Sequence, residues 1–85
     1  MKWIFPRIKT KRTVEQQFSK IKDEWIEYQK ACSQTNKDEE AIDILHSVET
    51  FLRLQFKDRE TELDKLIQKT IAKNISRGYY ESECF

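Results

Sequence analysis

Glycine and proline each occur once in these 85 residues. That scarcity argues against an all-β fold, whose many turns need both residues. Cysteine occurs twice, at Cys32 and Cys84, far apart and in no metal-type spacing, so the pair reads as reduced thiols. There is no hydrophobic run long enough for a secretion signal or a membrane span. Net charge is only +1, so no global field favours a nucleic-acid polymer or a membrane surface. These absences leave a cytoplasmic, all-α protein as the expectation. A chain of this length buries only about 60% of its unfolded surface, so oligomerisation is the expected supplement to a thin core.

What is present is charge and helical periodicity. Charged residues make up 36% of the chain and apolar ones 38%. Residues 1–12 read as an arm, with apolar Trp3, Ile4 and Phe5, then Pro6, then basic Lys9, Lys11 and Arg12. Trp3 and Phe5 either cover a core edge or a partner subunit, or Trp3 stacks on a nucleobase. Thr13-Val14-Glu15-Gln16 has the form of a capping box and opens a first helix. Val14, Phe18, Ile21, Trp25, Tyr28 and Cys32 then mark one helix face as its core stripe. A polar connection over residues 33–37 leads into a second helix at about 37–56, with Asn36 as its cap. Its core stripe is Ala41, Ile44, Leu45, Val48, Phe51 and Leu52, and His46 falls on the opposite, exposed side. Asp58 is the expected cap of a third helix, about 59–76, with Leu63, Leu66, Ile67, Thr70, Ile71 and Ile75 inward and Gly78 as its stop. Residues 81–85 form a short tail.

Two acidic pairs stand out. Glu24 and Glu27 lie together on one flank of the first stripe, with Lys20 on the same line, and Glu40 and Asp43 flank the second stripe at a similar angle. Packed antiparallel, the two helices would bring four carboxylates to one edge of the core. Four converging carboxylates repel one another unless a cation sits between them, and oxygen ligands suit a hard cation such as Mg²⁺, with Mn²⁺ as a substitute. The same pairs would otherwise solvate a surface, as most acidic pairs on helices do.

Lys20-Ile21-Lys22-Asp23-Glu24-Trp25-Ile26-Glu27, followed after residues 28–39 by Glu40-Ala41-Ile42-Asp43, resembles the signature of the MazG-like, all-α nucleoside triphosphate pyrophosphohydrolases. The stretch Lys73-Asn74-Ile75-Ser76-Arg77-Gly78-Tyr79-Tyr80 is similar to the segment that closes the active site in small members, so the resemblance covers about 13–80. It implies a three-helix unit completed by dimerisation into a larger bundle, as a homodimer or a dimer of dimers. It also implies Mg²⁺-dependent cleavage of a (deoxy)nucleoside triphosphate to monophosphate and pyrophosphate. Glu24, Glu27, Glu40 and Asp43 match the family's metal ligands. Asp23 stands where the family has glutamate at the position expected to orient the attacking water, and Glu24 and Glu27 share the catalytic role. Lys20, Lys73 and Arg77 are candidates to hold phosphate oxygens. Asn74 would bridge phosphate or sugar, and Tyr80, with Tyr79, would stack on a base or pack on the first helix. Only a dozen residues precede the first helix, where many relatives carry an extra helix that builds part of the base pocket. Short members also occur in phages and mobile elements. The competing readings are a relative that binds nucleotide without turnover, and a helical protein-interaction module.

Overall fold

The computed structural model describes residues 1–81; Cys84 and nearly all of the tail lie outside the described residues. The fold is all-α: α1 (Val14–Lys30), α2 (Gln34–Gln55) and α3 (Glu60–Ser76), preceded by the arm. No helix among the described residues is long and apolar enough to cross a membrane.

The expected capping box opens α1. The Gln16 amide donates to Thr13 Oγ1 at 3.1 Å and the Thr13 amide to Gln16 Oε1 at 2.9 Å, so each satisfies an otherwise orphaned donor. α2 begins three residues earlier than the sequence suggests, because Ser33, not Asn36, caps it; the Asn36 amide donates to Ser33 Oγ at 3.1 Å. Asp58 does not cap α3 either. It takes a positive φ of 62° in the turn, and Arg59 occupies the cap position with no side-chain cap bond. Arg59 acts instead as a staple, its guanidinium donating to Gln55 O at 2.9 Å and to Glu62 at 2.7 Å. Gly78, at φ 68°, ends α3 as expected, with the Tyr79 amide reaching back to Asn74 O at 3.0 Å.

α1 and α2 pack as a hairpin, whereas no Cα of α3 comes within 8 Å of a Cα on either helix. The radius of gyration is 15.4 Å, against about 12 Å for a compact domain of this length. The arm links the pieces. The Met1 amino group pairs with Asp64 on α3, residues 4–5 bond to α2, and Arg12 donates to Gln17 on α1 at 2.9 Å.

The core is not the one the stripes suggest. The buried side chains of the hairpin are polar: Gln17 and Glu24 on α1, and Ser47, Glu49 and Thr50 on α2. Leu63 is the one hydrophobic side chain buried to that degree among the described residues. Phe18, Trp25, Leu45, Leu66 and Ile75, all expected inward, are exposed, as are Ala41 and Thr70. Val14, Ile21, Ile44, Val48 and Phe51 are half-buried. The physical reason is geometric: two packed helices share one face, and much of each apolar stripe is turned away from it.

Candidate functional site: an acidic pocket between the first two helices

Two polar lines of matching spacing meet across the hairpin. On α1 they are Gln17, Lys20, Glu24 and Glu27; on α2 they are Glu40, Asp43, Ser47 and Thr50. Steps of three, four and three keep each set on one helix face. Within each acidic pair one member is turned inward, Glu24 on α1 and Glu40 on α2, and the other, Glu27 or Asp43, is exposed. Glu24 is buried and faces α2 directly, where Ser47 Oγ donates to its Oε1. Lys20 Nζ lies 3.3 Å from the same oxygen. Ser47 is itself fixed from behind, its carbonyl accepting from Gln17 Nε2 at 3.0 Å.

A cavity of about 270 Å³ opens here, lined by Glu24, Glu27 and Asp43 with Lys20, Ser47 and His46, and Ile8 of the arm forms part of its wall. Glu40 stands beside it. Burial, then the charges of Glu27, Asp43 and Glu24, then a hydrogen bond with Glu27, hold the Glu40 carboxyl above the ordinary carboxylate range. Glu40 Oε2 is buried with no hydrogen-bond partner. All four of the expected carboxylates thus gather at one place.

As the side chains stand, no three His, Cys, Asp or Glu groups among the described residues form a ready ligand set. Of the four, Glu24 is answered within the chain, by Lys20 and by the Ser47 hydroxyl. The donor set nonetheless fits a hard cation: it is all oxygen, Glu40 is raised by burial and then by its carboxylate neighbours, and one buried oxygen of Glu40 lacks a partner.

The other expected residues are elsewhere. Asp23 is exposed on α1 and does not line the cavity. Lys73, Asn74 and Arg77 lie on or just after α3, away from the hairpin, and Asn74 Nδ2 donates to the Tyr80 hydroxyl at 3.2 Å. Tyr79 is exposed, with the Arg77 guanidinium 5.9 Å from its ring centre. His46 is a correction. It is half-buried, lines the cavity, stacks on Phe5 with ring centres 4.4 Å apart, and its Nε2 is buried without a partner. The arm covers this side of α2, which a helical wheel of the helix alone does not reveal. Ser47 was also missed, although its place four residues after Asp43 was a legible signal. No protein-family model, curated protein or solved structure matches the chain.

Proposed function

We propose that this chain is a Mg²⁺-dependent nucleotide pyrophosphohydrolase of the MazG-like kind, cleaving a (deoxy)nucleoside triphosphate to monophosphate and pyrophosphate in the cytoplasm. The observation that carries this reading is Glu40, crowded by Glu27, Asp43 and Glu24, with a buried oxygen left unpaired. Glu24, Glu27, Glu40 and Asp43 would hold the ion. When bound, Mg²⁺ would neutralise phosphate charge and orient a water for in-line attack.

The chain's own groups have separate tasks. Ser47 and Lys20 orient Glu24. Lys20, at the cavity edge, also provides a cation for phosphate oxygens. Asp23 lies off the cavity and Glu24 is engaged, so Glu27 is the better placed acceptor for the proton of the attacking water. The bond from the α-phosphorus to its bridging oxygen breaks, and pyrophosphate leaves. Ile8 limits the access of bulk water on one side.

A homo-oligomer completes the fold in this reading. Phe18, Trp25 and Ile42 are 48%, 52% and 54% exposed, more apolar surface than a small monomer normally leaves in water. A second copy would cover these side chains and bring an α3, with its Lys73, Asn74, Arg77 and Tyr80, toward the carboxylate pocket. The same exposed side chains favour the second reading, a helical interaction module that docks a different protein.

The test is pyrophosphate release from a panel of ribo- and deoxynucleoside triphosphates with Mg²⁺, for wild type beside Glu24→Gln and Asp43→Asn. Turnover abolished by both substitutions is the expected result. No turnover on any triphosphate, with no Mg²⁺-dependent nucleotide binding, would overturn the reading in favour of the interaction module.

A further inference from the structure

Across the arm from the acidic pocket lies a groove of opposite character. It has a volume of about 460 Å³ and runs between the arm and the C-terminal half of α2. Arg7, Lys9, Arg53 and Lys57 line it, with the Thr10 and Thr50 side chains, and no carboxylate does. None of the four cations is in an ion pair among the described residues. Ile8 faces both this groove and the acidic pocket, so one residue of the arm separates them.

Arg53 is the centre of the groove. Its Nη2 donates to Phe5 O at 2.9 Å, and its guanidinium lies 4.6 Å from the centre of the Trp3 ring, which fixes its plane. Nε and Nη1 are buried with no acceptor. Unpaired buried donors on a charged group are costly, and the guanidinium fork matches two oxygens of one tetrahedral anion. The neighbouring Glu49 is close enough to offset part of the Arg53 charge but accepts no hydrogen bond from it, its two oxygens accepting from the Ile4 and Phe5 amides. Arg53, in the last turn of α2, and Lys57, just beyond its end, also suit the negative end of that helix. That accounts for Arg53 and Lys57 but not for Arg7 and Lys9, which belong to the arm.

We propose that this groove is an anion site for the phosphate class of oxyanion, formed by Arg53 with Arg7, Lys9 and Lys57, and separate from the carboxylate pocket. Free phosphate, pyrophosphate and the phosphate of a nucleoside monophosphate share this chemistry. The unpaired edge of Arg53 is buried beside the groove, so a change of its side-chain rotamer is needed to present it to the anion, while Thr10 and Thr50 border the same space.

The experiment is a titration of the full chain with inorganic phosphate, inorganic pyrophosphate and a nucleoside monophosphate in turn. It is run with a metal chelator and against sodium chloride of matched ionic strength, and followed by calorimetry and amide chemical shifts. The chelator removes metal-dependent binding at the carboxylate pocket, and the shift map separates this groove from Lys20, so the outcome is independent of the proposed enzymatic activity. Saturable binding is expected, with shifts concentrated at residues 7–10 and 53–57, and the tightest of the three ligands names the source. The double variant Arg7→Gln/Lys57→Gln, which spares Arg53 and the arm contacts, should bind at least about tenfold more weakly. Lys65→Gln/Lys69→Gln, with the same charge loss on α3, should bind as wild type does. Absence of saturable binding, shifts spread over all basic residues, or equal weakening in the α3 variant would each overturn the proposal. The wild-type shift map decides the matter even if the arm variant fails to fold.

Discussion

Glu40 and Glu49 lie on the same helix, yet their surroundings are opposite. Glu49 is buried in a latch built to keep it charged: burial alone would raise its pKa, but the Ile4 and Phe5 amides, Arg53 and His46 together lower it. Glu40 is raised by burial and by three neighbouring carboxylates, and one of its oxygens has no partner. The Glu49 carboxylate is fully answered within the chain, both oxygens accepting from backbone amides; the Glu40 carboxyl is not. A satisfied buried charge is a structural device, because it closes the arm over α2. An unsatisfied cluster invites something from outside the chain, and this contrast is the reason for assigning function to the pocket and architecture to the latch.

The largest expected effect lies on the latch side. Glu49→Ala leaves two arm amides and the Arg53 guanidinium without their acceptor or countercharge, and should cost about 2–3 kcal/mol in chemical denaturation. Hydrogen exchange should show the Ile4 and Phe5 amides losing protection. Protected amides in the variant would mean that the arm is held by Trp3 and Phe5 alone. Next in size is Ser47→Ala, which removes the hydroxyl that donates to buried Glu24 and should cost about 1 kcal/mol. No loss in the melt would mean that the pocket's internal bonds contribute nothing to stability.

The smallest effect separates the two glutamates by sign. Glu40 has a raised folded pKa, so its contribution favours the folded state at low pH and is lost as pH rises through that value. Acidification from about pH 7 toward the ordinary carboxylate pKa of about 4.3 should therefore relieve the pocket. Glu49 has a lowered folded pKa, so its contribution is present above the ordinary value and fades as pH falls below it. In denaturation curves over this range, Glu40→Gln should lose more stability on mild acidification than wild type does. Glu49→Gln should lose less than wild type does at still lower pH. Identical pH profiles for all three proteins would erase the contrast.

How much of this was legible in the sequence depends on which neighbours a residue needs. The capping box at Thr13 and the glycine stop at Gly78 are local chemistry, and both hold. The three helices follow from periodicity within each segment. The acidic pairs on α1 and α2 could be brought together because a short loop fixes the hairpin. Legibility failed where the arm intervenes. His46 is read as exposed from α2 alone, yet it is covered by Phe5, a contact spanning about half the chain. The burial of Glu49 was hidden for the same reason, since its partners are backbone amides and carry no side-chain signature. The stripes of Phe18, Trp25 and Leu45 correctly mark apolar faces, but the described chain has no helix to set against them.

The central claim is that Glu24, Glu27, Glu40 and Asp43 gather to hold a divalent cation. It is tested most directly by thermal melts with increasing magnesium chloride, against sodium chloride of equal ionic strength, for wild type, Glu27→Gln and Asp43→Asn. Wild type should gain stability saturably, about 2.7 kcal/mol at a hundredfold excess over Kd, and both variants should lose most of that gain. An unchanged wild-type melt, or an equal gain in all three proteins, would contradict the claim.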